Sequence, residues 1–182
     1  MKSIGLIEHI NKFVELHTEV EKKLNKHLES KYLDKNDYLQ CKGQVCNSLY
    51  FVKSGCLRMY FHDKYSIEQI IQFAIEGWWI TDYTSFLNHI PSEYHIQATE
   101  ETEIVILERK NYEMLIQEIP QLLLYFHKIL QINLAACQTK HKYQNSMTPD
   151  ELLQLFCTSF PAFVERVPKN MILSYLGILG HK

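Results

Sequence analysis

The apolar positions along this chain fall into three rhythms. From Ser3 to about Glu29, Ile7, Ile10, Phe13, Val14, Val20, Leu24 and Leu28 recur at steps of three, four and their sums, which predicts one buried helix stripe, whole or broken in two. After Tyr32 the period shortens. Runs such as "SLYFVKSG", "CLRMYF", "IEQIIQFAI", "SEYHIQATE" and "TEIVILER", set off by Gly43, Gly55 and Gly77, predict antiparallel strands spaced as in a barrel or jelly roll. "TDYTSFLNHIPSE" between two of them has room for a helical turn and a loop.

From Asn111 the helical period returns. Leu115, Ile119, Leu122, Phe126, Ile129, Asn133 and Ala136 step by four and three, with Leu123, Leu130 and Leu134 widening the stripe, so the heptad row predicts the seam of a parallel, two-fold homodimer. Asn133 is the polar member of that seam. Pro120 divides a short helix from a long one, and the polar "QTKHKYQNS" reads as a hinge. Thr148, Pro149 and Glu151 then form a capping-box start. "VPKNMILSYLG" begins a further short helix that ends at Gly177. The chain thereby divides at 1–110, 111–146 and 147–182.

Composition narrows the function. The 182 residues carry a formal net charge of −2, which argues against a surface built throughout to hold polyanions. The basic side chains lean toward the end, five Lys/Arg against three Asp/Glu from Gln138 onward. Five cysteines without a C-x-x-C suit a reducing, cytoplasmic setting. No run is apolar enough for a membrane anchor or signal peptide. An iron–sulfur cluster is disfavoured because Cys41, Cys46 and Cys56 are spread through the β region. The nine histidines form no H-x-H or H-E-x-x-H, and neither G-x-S-x-G nor a Gly-rich phosphate loop is present, so a non-enzyme is expected, without metal or catalytic residues.

The order helix, β-roll, long apolar helix and opening helix-turn-helix resembles the Crp/Fnr superfamily of transcription regulators. The resemblance is carried by "GQVCNSLYFVKSGCLRMYF", by "EGWWITDYTSFLNHIPSEYHIQATEETEIVIL", laid out like the family's phosphate-binding cassette, and by "VPKNMILSYLGI". The tryptophan pair and "PSEY" look most like the branch common among Bacteroidetes. The resemblance implies an α+β fold: an antiparallel, cyclic-nucleotide-binding-like β-roll flanked by an N-terminal helix and a long dimerisation helix, then a partial winged-helix segment.

It also implies where a ligand would sit. Cyclic-AMP-binding members offer a Gly-Glu pair, then an Arg that grips the cyclic phosphate; the matching positions here are Thr81-Asp82 and Ser92. A neutral hydroxyl offers one donor where guanidinium offers a charged fork, and Glu93 beside it repels phosphate. Cyclic AMP is therefore not expected, and the effector is an unassigned small molecule. The candidate pocket comprises Trp79, Thr81, Asp82, Ser92, Glu93, Tyr94 and, from the long helix, Gln138. Trp78 and Trp79 read more as core or lid residues than as ligand stackers, and Asp82 equally as a helix N-cap. Tyr94 and His95 face opposite sides of a strand, and Arg58 reads as outward and ion-paired.

DNA binding is implied by the same resemblance; Lys169 is the weak candidate for a phosphate contact, with Arg166, His181 and Lys182 beside it, and all four read chiefly as solvated surface charges. Only "ILGHK" follows Gly177, whereas three helical turns need about 11 residues, so base-specific readout is not expected from this chain. The reading is a small-molecule-sensing and dimerisation module of a Crp/Fnr-type regulator. Its rival is a stand-alone interaction dimer that has lost both ligand and DNA. A polar cavity in the roll beside Asp82 and Ser92 favours the first, and a roll filled by its own side chains favours the second.

Overall fold

The computed structural model describes residues 5–178. The N-terminal stripe forms two helices, α1 (Leu6–Asn11) and α2 (Thr18–Asn25), parted where Asn11 Oδ1 accepts from Leu16 N at 3.0 Å. Eight strands follow: β1 (Glu29–Leu33), β2 (Tyr38–Gln40), β3 (Ser48–Ser54), β4 (Leu57–His62), β5 (Glu68–Ala74), β6 (Trp79–Ile80), β7 (His95–Ala98) and β8 (Thr102–Glu108). Between β6 and β7 lies α3 (Tyr83–Asn88).

All strand pairs are antiparallel and make two four-stranded sheets, ordered β1-β8-β3-β6 and β2-β7-β4-β5. The sheets face one another across Val52, Leu57, Met59, Ile80, Ile96 and Ile104, all buried. This is the β-roll that the strand spacing predicts. The turn from β3 to β4 rests on Gly55, whose φ is +95°; a Cβ there would stand 2.6 Å from Thr102 Cα, so no other residue fits without displacing backbone.

After β8 come α4 (Arg109–Glu118) and α5 (Pro120–Ser146), with Pro120 at the first position of the second. A proline lacks the N–H that a first-turn residue leaves unpaired anyway. The "QTKHKYQNS" run differs from its expected role as a hinge: it stays helical to Ser146, and the chain turns extended only at Met147 (φ −119°, ψ 151°). Gln138, Lys140, Lys142 and Gln144 are good helix formers, and they carry the run on as the last turns of α5.

Three helices close the described chain: α6 (Pro149–Ser159), α7 (Pro161–Val164) and α8 (Lys169–Tyr175). α6 carries the expected capping box, with Glu151 returning a bond to Thr148 N at 2.9 Å. Gly177 follows α8 with φ +74°. These helices lie on β5: Ser174 Oγ accepts from Ile70 N at 2.9 Å and donates to Glu68 O at 2.8 Å. That one hydroxyl satisfies a donor and an acceptor at the edge of the second sheet, where unpaired groups would otherwise invite strand addition.

Candidate functional site

The cassette folds as β6, α3 and the loop to β7, and its polar residues look inward to the backbone. Asp82 is buried and caps α3: Oδ1 accepts from Thr84 N at 2.9 Å and from Ser85 N at 3.2 Å. Of its two readings, the structure adopts the N-cap. Thr81, also buried, donates to Ser48 O at 2.9 Å and lies 3.1 Å from Cys46 Sγ. Ser85 Oγ donates to Ile90 O at 2.6 Å and accepts from Cys46 N at 2.8 Å, tying α3 to the loop before β3.

Ser92 is buried and accepts from Tyr94 N at 3.0 Å, while its own N–H and carbonyl pair with Gln44 O and Gly43 N. At the position where a phosphate-gripping cation is expected by resemblance, the hydroxyl thus organises a turn. Glu93 points outward to Lys42 at 3.2 Å. Tyr94 shares the inner face with Ile96 and meets Phe61 edge-on, whereas His95 lies on the outer face, stacked on Tyr60. Arg58 is more buried than its outward reading suggests. It donates to Gln97 Oε1 through Nε at 3.1 Å, pairs with Glu68 and lies over the Tyr60 ring at 4.2 Å.

Trp79 is a core residue. Its Nε1 donates to Tyr125 Oη at 2.8 Å, and the same hydroxyl lies 2.8 Å from His9 Nδ1. Burial, then the nearby Lys12 charge, holds His9 below the ordinary imidazole value. Trp78 instead stands 46 % exposed. Gln138 on α5 is exposed and is not brought to the cassette. Of the seven candidate pocket residues, Thr81, Asp82, Ser92 and Tyr94 gather around the cassette, while Trp79 joins the core and Glu93 and Gln138 face solvent.

The residues expected to form a dimer seam on the long helix are taken up by the chain's own core. Leu115, Ile119, Leu122, Phe126 and Ile129 are buried within the chain's own core, packed with α1, Phe51 and Trp79, and Asn133 is half-buried. They are one face of α5 and its approach, already covered by the roll. A second row, one position further along, is open to solvent: Leu123 (52 %), Leu130 (42 %) and Leu134 (60 %), spaced by exposed His127 and Cys137. The sequence shows both rows; periodicity alone does not say which one the roll takes.

Arg166 also departs from its expected place among solvent-facing cations. It pairs with Glu76 at 3.1 Å and with Glu100, and donates to Gly55 O at 3.1 Å. Lys169 begins α8 and is exposed; His181 and Lys182 lie outside the described residues. Sequence reading missed Arg109, whose buried guanidinium donates to Cys46 O and His89 Nδ1 and lies 4.9 Å from the Phe86 ring centroid, under the cassette. It also missed Lys140, which projects from α5 toward Ile71 O at 3.4 Å. Among the described residues the cysteines are unpaired and no cluster suits a metal ion. No helix among them is long and apolar enough to cross a membrane.

Residues 30–119 match the cyclic nucleotide-binding domain family. FixK2 from Bradyrhizobium japonicum superposes with a TM-score of 0.70 at 14 % identity, over 83 % of this chain and 78 % of that one. The Thermus thermophilus catabolite activator protein gives 0.61 at 15 % identity, over 93 % and 80 %. The c-di-GMP-responsive global regulator CLP of Xanthomonas campestris gives 0.63 at 14 % identity, over 77 % and 70 %. At such identities the likeness is one of fold. A search of curated proteins returned no match.

Proposed function

We propose that this chain, which carries a domain of the cyclic nucleotide-binding family in residues 30–119, is the sensing and dimerisation module of a Crp/Fnr-type regulator whose cassette has become structural. It pairs in parallel through α5, and cyclic nucleotides do not set its state. The observation that carries this reading is the exposed row Leu123, Leu130 and Leu134 on a 27-residue helix whose opposite face is already buried. So long an apolar row on a monomer is a sticky patch, and a second copy covers it in register.

The cassette supports the second half of the reading. Asp82 and Ser92 are engaged by α3 and by the turn after it, and no arginine stands at the position of Ser92. A cyclic phosphate entering there would lose hydration without gaining a charged partner. The closely filled roll interior also favours the rival reading, an interaction dimer without an effector. The two diverge on whether any small molecule changes the dimer. DNA contact remains a family expectation, and α6 to α8 support docking on the roll more than base reading, since Arg166 is engaged by Glu76 and Glu100.

Sedimentation equilibrium tests the dimer, and calorimetric titration with cyclic AMP and cyclic GMP tests the cassette. A dimer that gives no heat with either nucleotide at micromolar concentration is the expected result. Sub-micromolar binding of either nucleotide refutes the assignment of Ser92, and a monomer refutes the assignment of α5.

A further inference from the structure

Two cavities, of about 430 and 420 Å³, flank Lys140 where α5, β5 and the C-terminal helices meet. The larger is the more instructive. Its walls are apolar side chains of β5, α6 and α7, among them Phe73, Leu155, Phe156 and Phe163. At its rim stand two aromatic residues that a folded chain usually covers, Trp78 at 46 % and Phe160 at 53 % exposure. Its size is that of a small-molecule site.

Lys140 is the single charged residue lining this cavity. Its ammonium lies 3.6 Å from the Tyr175 ring centroid and 3.4 Å from Ile71 O, and among the described residues it makes no ion pair. An ammonium removed from water and given only a ring face and one long carbonyl contact is undercompensated. Its natural complement is an anion attached to an apolar body. Burial also pushes Lys140 down to about 8, in keeping with an absent counter-charge.

We infer that this junction cavity binds an apolar carboxylic acid, its chain lodged among the phenylalanines and its carboxylate paired with Lys140. Lys140 also lines the smaller cavity, which holds Ile71 and Asp63, but in the larger one it is the one charged residue, so a carboxylate is favoured over a phosphate ester, whose dianion would bring an uncompensated charge into apolar walls. The site lies on the face of α5 away from Leu130 and Leu134, so occupancy and pairing do not compete for surface. It joins the long helix to the helices that follow it, which is where a ligand can bias their relative placement. The inference deepens the sensor reading by naming the class of effector, and it needs neither the dimer nor the cassette to hold.

Trp78 at the rim supplies the readout, since Trp79 is shut in the core and the chain has two tryptophans. Decanoate and decanol are titrated at neutral pH against the full chain, followed by tryptophan emission. Decanoate is expected to bind roughly tenfold more tightly than decanol, the scale of one charge-assisted hydrogen bond in a sheltered place. Lys140→Met should abolish that preference while leaving decanol binding, and Lys140→Arg should restore it. Ala136→Phe, which fills part of the cavity without adding a tryptophan, should remove binding of both. Equal affinities, a preference that survives Lys140→Met, or no binding by either compound overturns the inference. Sedimentation of the same samples reports the dimer separately, so failure of one reading is not mistaken for failure of the other.

Discussion

Arg166, in the turn between α7 and α8, pairs with Glu76 at 3.1 Å, ninety residues earlier in the chain. The contact joins the C-terminal helices to the rim of the β-roll. Glu76 Oε1 also accepts from Gly55 N at 2.8 Å, and Arg166 donates to Gly55 O, so one tight turn, one carboxylate and one guanidinium form a closed set of bonds. Both side chains are largely buried.

Removing the guanidinium leaves Glu76 and Glu100 facing each other without a cation. Arg166→Ala is therefore expected to destabilise docking of α6 to α8 by about 3 kcal/mol, the usual cost of breaking a largely buried pair. The sensitive measurement is limited proteolysis between Met147 and Thr148, which should accelerate, while hydrogen exchange in β3 and β8 stays slow. Unchanged cleavage would show that the Ser174 contact to β5 holds the helices alone.

The exposed row on α5 makes the second expectation. Leu130→Asp places a carboxylate against its own counterpart in a parallel pair, where like charges and desolvation both oppose association. Dimer affinity should fall by at least about 100-fold, with the monomer's circular dichroism preserved because Leu130 contributes little to the chain's own core. Leu122→Asp, on the buried face, should instead prevent folding. If the two variants behave alike, the faces of α5 are wrongly assigned.

These two sites show what was legible in the sequence and what was not. The strands of the roll, the division at Pro120 and the capping box at Thr148 follow from local period and local hydrogen bonding, which act over a few residues. The row covered by the roll cannot be told in the sequence from the row one position on, because Leu122 and Leu123, or Ile129 and Leu130, are equivalent as letters; only the packing of Tyr125 and Phe126 against Trp79 and α1 decides which face the roll claims. Lys140 is invisible as a site residue, and the ion pairs of Arg166 are invisible too, for a related reason. Their meaning comes from partners tens of residues away, and a lone cation in a polar stretch carries no signal of it.

The cassette gives a third expectation. Asp82→Ala should cost about 1 kcal/mol, the worth of an N-cap side chain, and leave nucleotide titrations unchanged from those of the parent chain. Asp82→Asn, which retains an accepting oxygen, should recover most of the loss. Thermal unfolding measures both. A variant that changed ligand affinity without changing stability would return Asp82 to the role of a sensor.

Lys140 carries a pH dependence whose sign is fixed. In the unfolded chain a lysine titrates near its ordinary value of about 10.4, and burial in the fold lowers it to about 8, with the Cys137 side chain opposing slightly. Between those values the unfolded chain binds more protons, so stability rises with pH across that window. Below about pH 8 both states are protonated and the desolvation penalty is present in full, on the order of 3 kcal/mol. Cys56, raised to about 11 chiefly by burial, works in the opposite sense at alkaline pH, but it is common to parent and variant and cancels in their difference. Lys140→Met should therefore be more stable than the parent chain at neutral pH, with the gap closing as pH approaches 10, read from urea unfolding at a series of pH values. A bound carboxylate should narrow the same gap from the other side by supplying the counter-charge to the parent alone. A gap that is constant with pH would mean that Lys140 keeps its ammonium in water.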